Sequence, residues 1–260
     1  MLEALDPAFR RRARRGQSWR APSLVLFTLA CSLLLTAGAP RPPATIAADD
    51  PSWRLDSSFD GIQLFRGSVP RVGVVPVKAV MSIPGTIEEV SLVLEDVPRR
   101  PQWISNFGRS VVLEKKNDYD QTEYLRVNVL WPIRDRSALI RAQVWVSDDL
   151  RRATIAAESV DSSPADTLPK LVRSWVYAST FQMTQVGNRV DVVALVFIDP
   201  CGLIPKWVVN YFTVRVARST LSGLRRQVAR KLYTPAQILA MHHRMEGYRA
   251  FRERQADSRP

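Results

Sequence analysis

From Gly61 to Ile198 apolar side chains recur mostly at every second position, and the runs that carry them are separated only by turns or short loops. Such a chain does not build a doubly wound domain, because parallel strands need a long crossover between each pair. It builds neighbouring antiparallel strands. The runs are Gly61–Arg66, Val74–Met81, Ser110–Lys115, Thr122–Trp131, Ala138–Val146, Ala153–Val160, Val172–Gln185 and Val190–Ile198. Val186-Gly187-Asn188-Arg189 places a Gly-Asn pair where the last two need a tight hairpin turn. One helix interrupts the series. It is opened by Thr86, has Glu88 and Glu89 in a first turn that favours negative charge, and stops before Pro98.

After Asp199-Pro200-Cys201-Gly202 the period changes to helical, with Pro205 suited to a first turn. Trp207, Val208, Tyr211 and Phe212 fall on one face of this helix. The β-branched stretch Thr213–Ala217 reads as a break, and Ser219 or Thr220 as the cap of a restart carrying Leu221, Leu224, Val228 and Leu232. A polar, basic helix from Thr234 to about Gln255 follows, with Ile238, Met241, Met245, Tyr248 and Phe251 as a weak stripe. The pattern predicts an α+β fold, a curved antiparallel sheet closed by an amphipathic helix, a container for an apolar molecule if side chains do not fill it.

A chain of 260 residues, 46% of them hydrophobic and seven of them Trp, has ample material for a buried core. The net charge of +12 suggests a nucleic-acid partner until its distribution is examined. Residues 1–22 carry +4, residues 205–260 carry +9, and the body between them carries −1. A phosphate-tracking groove needs cations along its recognition elements, interleaved with aromatic residues, so nucleic acid is not expected as a partner.

Arg10, Arg11, Arg12, Arg14, Arg15 and Arg20 precede an uncharged run from Ala21 to Pro40 whose apolar heart is Leu24–Leu35. This is the layout of a secretory signal. Cleavage is expected after Ala37-Gly38-Ala39 or after Ala47; uncut, the segment stays as a membrane anchor, a little short for a bilayer span. Cys31 lies inside the apolar run, which argues against a lipidation site. The mature chain then keeps only Cys201, so it has no internal disulfide. The expected destination is the periplasm of a Gram-negative-type envelope, free or anchored in the inner membrane.

Four segments together identify a resemblance. They are Trp53 with Phe59-Asp60-Gly61-Ile62; Asp96-Val97-Pro98-Arg99-Arg100-Pro101-Gln102-Trp103 followed by Val111-Val112-Leu113-Glu114; Pro132-Ile133-Arg134-Asp135-Arg136-Ser137 with Arg141; and Asp199-Pro200-Cys201-Gly202-Leu203-Ile204-Pro205-Lys206-Trp207 with Leu221-Ser222-Gly223-Leu224-Arg225. In this order and spacing they resemble the START domain, the lipid-transfer module related to steroidogenic acute regulatory protein. The resemblance implies the helix-grip fold: a long curved antiparallel sheet wrapped around a C-terminal helix, with an internal hydrophobic tunnel for one lipid. It divides the chain into a signal peptide or anchor (1–39), a linker (40–52), the START-like domain (53–232) and a basic helical extension (233–260). Cys201 departs from the family, which usually has a second Gly there.

The resemblance also implies a site. Trp145, Trp175, Trp207, Val208, Tyr211 and Phe212 are candidates for the tunnel wall. Arg141 is a candidate for an inward-pointing cation at the lipid head group, with Glu123 as its partner; strand alternation allows Arg141 either face. The expected ligand is a sterol, phospholipid or other acyl lipid, exchanged at a membrane surface by a monomer. No cofactor or metal is expected: the adjacent His242 and His243 diverge by about 100° on a helix, and no other spacing suits a metal. Two other readings stay open, a helix-grip enzyme of the cyclase or hydratase kind acting in the same cavity and a ligand-free envelope adaptor.

Overall fold

Alternation became strand at nearly every predicted run, and the turns explain how. A computed structural model describes residues 47–69, 73–129, 133–160 and 171–257; the expected leader (1–39) and the first part of the linker lie outside the described residues. The order is β1 (Arg54–Phe59), β2 (Ile62–Arg66), β3 (Val77–Pro84), α1 (Ile87–Glu95), a 3-10 helix (Val97–Gln102), β4 (Phe107–Asn117), β5 (Asp120–Val127), β6 (Arg136–Val146), β7 (Arg152–Ser159), β8 (Val172–Arg173), β9 (Trp175–Val186), β10 (Arg189–Asp199), α2 (Lys206–Ala229) and α3 (Pro235–Asp257). The main path through the sheet is β1-β2-β3-β10-β9-β7-β6-β5-β4. Its neighbours are antiparallel throughout, and short β8 lies parallel beside β6.

β1 was not legible as a strand. It is made by the Asp60–Gly61 turn, where φ values of 52° and 68° suit the primed turn that joins twisted strands. The Gly187 turn (φ 57°) joins β9 to β10 as predicted. Thr86 caps α1 through a reciprocal capping box with Glu89. α1 and the 3-10 helix then carry the chain from β3, inside the sheet, to β4 at its far edge.

The predicted break at Thr213–Ala217 does not exist: α2 is continuous over 24 residues. Thr213 bonds its hydroxyl to the Val209 carbonyl at 2.8 Å, one turn back, while Val214 and Ala217 are buried. Burial overrides the weak propensity against β-branched residues in helices. Val214, Ala217, Leu221, Leu224 and Val228 recur at three and four, and they join Ile62, Leu64, Val77, Ala79, Met81 and Ile83 of β2 and β3 in the main core.

On the outer face residues 47–53 are turns fixed in place rather than an extended tether. Trp53 donates its indole N–H to the Ala47 carbonyl at 2.8 Å. Lys78 sits over both the Trp53 and Phe65 rings, 5.0 and 4.7 Å from their centroids, and donates to the Ala48 carbonyl. Trp53, Val74, Leu195, Phe197 and Val209 belong to one buried cluster, with Ile204 packed against it. α3 returns to the inner side, where Met241, Met245 and Tyr248 are buried in the main core. Among the described residues no helix is long and apolar enough to cross a membrane.

Candidate functional site

The register defines one inner face. Ile140, Ala142 and Val144 of β6 oppose Ser159, Ala157 and Ile155 of β7. Ala157 and Ile155 oppose Ser179 and Phe181 of β9, which oppose Val196 and Ala194 of β10. Side chains directly opposite one another share a face. Over β2 and β3 this face is covered and its residues are fully buried. Over β5–β10 the covering is incomplete: Ala138, Ile140, Val176 and Met183 are buried, but Leu125, Ala142, Ile155, Ala157, Phe181 and Val196 are only half-buried, although they lie at interior strands of the sheet. An apolar interior surface left partly open in this way is a trough.

On α2, Thr220, Gly223 and Gln227 face the chain that crosses to β4. Thr220 accepts from the Ser105 N–H at 3.2 Å, and Gln227 donates to Gln102 at 3.1 Å.

The floor is charged. Glu123, 1% exposed, accepts from both terminal nitrogens of Arg100, from the Ser110 hydroxyl at 2.8 Å and from Gln121 at 2.6 Å. Arg100 comes from the 3-10 helix, and its side chain is 13% exposed. Burial alone pushes the Glu123 carboxyl up, but the Arg100 hydrogen bond and charge, with Ser110 and Gln121, hold it below its ordinary value. The pair is therefore ionised, neutral in sum and largely withdrawn from water.

The expected Arg141–Glu123 pair is not formed. Glu123 opposes Ile140 and Arg141 opposes Thr122, so the two side chains leave the sheet on opposite faces. Arg141 instead pairs with Asp120, which accepts from its Nε at 2.8 Å, on the solvent side. Two basic residues reach the inner side instead: Arg136 of β6, buried and donating to the Pro200 and Cys201 carbonyls, and Arg100, which belongs to the Asp96–Trp103 segment and was not singled out. Nothing in strand alternation identifies Arg100, because it is carried by the crossover.

Trp145, paired with Thr154, is 43% exposed on the outer face. Trp175 follows the same side beyond a bulge that leaves Val176 facing in, and it lies under the Arg173 guanidinium. Neither is part of the inner wall. Trp207 (74% exposed), Tyr211 (51%) and Phe212 (44%) crowd the first turns of α2 with exposed Leu203, and Val208 beside them is half-buried. Four candidates therefore sit together at the start of α2, three of them exposed.

The profile of the START domain family matches residues 44–231. An uncharacterised protein of Pseudomonas aeruginosa is 25% identical over 178 residues, covering 66% of this chain and 85% of that one. Human StAR-related lipid transfer protein 5 superposes with a TM-score of 0.65 at 17% identity, over 72% of this chain and 90% of that one. A STAR-related lipid transfer protein fragment from Xanthomonas axonopodis gives 0.59 at 23% identity, over 68% and 99%. Human STARD10 gives 0.63 at 19%, over 68% and 73%. The long antiparallel sheet with its C-terminal helix is the helix-grip fold of these structures.

Proposed function

The chain belongs to the START domain family, whose domains bind hydrophobic ligands, and we propose that it encloses a single lipid between α2 and the inner face of β5–β9 and carries or presents it in the cell envelope. The observation that carries this reading is the half-buried apolar trough floored by the Arg100–Glu123 pair. Each methylene moved from water into such a surface is worth about 0.8 kcal/mol, and a hydrogen-bonded polar group beside it supplies the orienting contact that ligand pockets commonly have. The ligand is a sterol, phospholipid or other acyl lipid.

Exchange takes place at a membrane. The exposed Trp207, Tyr211 and Phe212 suit the interface between head groups and acyl chains, and Lys206 and Arg215 beside them suit anionic head groups. Displacement of the first turns of α2 opens the trough to the bilayer and their return closes it. The reading is of a carrier rather than an enzyme, since Glu123, the carboxylate buried on the inner face, has its acceptor capacity taken up by Arg100, Ser110 and Gln121.

Solvent extraction of the purified protein followed by mass spectrometry tests the reading. A lipid at one per chain is the expected result; a chemically altered small molecule supports catalysis, and an empty protein supports an adaptor. The W207A/F212A double variant is expected to slow lipid transfer between vesicles by about ten-fold, the factor set by losing roughly 1.4 kcal/mol of aromatic burial in the membrane. Unchanged transfer would move the docking surface elsewhere.

A further inference from the structure

α3 lies beyond the stretch matched by the family profile, which ends at residue 231. On β6 the inward positions run from Arg136 through Ala138, Ile140 and Ala142 to Val144 and Val146. α3 covers the last two. Met241 and Met245 close over Val144, Val146 and Ala153, leaving a residual void of about 10 Å³, room for one water at most.

The helix is held there at several points. Arg244 pairs with Glu95 of α1, and its carbonyl accepts from the Tyr119 hydroxyl at 2.7 Å. The His242 imidazole meets Glu88 at 2.8 Å. Tyr119 packs against the Tyr248 and Phe251 rings, each with centroids 5.0 Å away. Asp148, in the β6–β7 turn, accepts from Arg249 and Arg252 at 2.7 Å each.

We propose that α3 is the blind end of the lipid trough: Met241 and Met245 stop the guest at the level of Ala142, and their volume sets the longest lipid that fits. The inference rests on the lipid-binding reading. From Arg136 to Ala142 the inner face is about 20 Å long, at some 3.3 Å per residue; the stretch under α3, from Ala142 to Val146, accounts for about 13 Å more. Methionine is unbranched and adaptable, so its truncation opens space, and Glu95 and Arg244, which line the same void, stay paired with each other.

The full-length protein is titrated with saturated fatty alcohols of increasing chain length. Wild type is expected to bind about four-fold tighter per methylene while each is buried, then to lose affinity abruptly at one length. M241A/M245A is expected to move that cut-off to longer alcohols, and Arg66→Ala, which removes an exposed ion pair with Asp56 away from α3, to leave it in place. If the double variant does not fold, M245A alone makes the same measurement with a smaller displacement. A folded variant that keeps the wild-type cut-off overturns the end wall while leaving lipid binding intact. Failure of wild type to bind any alcohol overturns the lipid reading itself, and the wall with it.

Discussion

Arg100→Ala is expected to cost about 3–5 kcal/mol at neutral pH, because it strands an ionised carboxylate that is almost wholly buried. The pH dependence identifies the group. In wild type Glu123 is held below its ordinary value, so its contribution is complete above about pH 4.3, the unfolded-state value, and is lost as pH falls through the folded one. Without Arg100 the burial cost is opposed only by Ser110 and Gln121, and the carboxyl is expected to rise instead. A folded value above the unfolded one makes the variant relatively better off as the group protonates. The gap between wild type and R100A is therefore widest at neutral pH and narrows towards pH 4. Urea denaturation at several pH values measures it; a gap that does not change with pH would assign the loss to something other than Glu123. Replacing both partners, with Arg100→Met and Glu123→Leu, is expected to recover much of the loss, since no charge is then left unpaired.

Gly223→Ala is the second large effect. Gly223 lies in α2 where the helix crosses the chain leading to β4, and an added Cβ would fall onto the Trp103 carbonyl oxygen, with the Trp103 carbonyl carbon and Cα each 3.1 Å away. These are backbone atoms, so no rotamer change relieves the overlap. Overpacking of this kind costs roughly 1–3 kcal/mol, and here the upper end applies because the helix itself must move. Alanine regains about 1 kcal/mol of helix preference, leaving a net loss of about 2 kcal/mol and a fall in Tm of about 4–8 °C. The same displacement breaks the Thr220–Ser105 and Gln227–Gln102 contacts. Differential scanning calorimetry checks it; an unchanged Tm would mean that α2 does not press on the crossing.

Most of the strands, the hairpin at Gly187, the capped α1 and the terminal helix were readable, because each is set by local periodicity or by a turn residue. What was unreadable depended on which way a face points. Arg141 and Glu123 lie on adjacent strands eighteen residues apart, and only the register, Glu123 opposite Ile140, separates them. Arg100 reached the inner face through a crossover with no period. The β-branched Thr213–Ala217 was read by intrinsic preference, whereas tertiary burial decided its state. Trp207, Tyr211 and Phe212 were correctly grouped by helical spacing, but spacing does not reveal whether a shared face meets a sheet or solvent.

The clasp formed by Trp53, Lys78 and Phe65 fixes where the polypeptide sets out. Trp53 shares its cluster with Val209, close to the beginning of α2, so whatever precedes Ala47 departs from the same pole of the domain as the aromatic cluster. Loosening that clasp would therefore uncover Leu195 and Phe197 of β10 and unsettle the root of α2 in a single event.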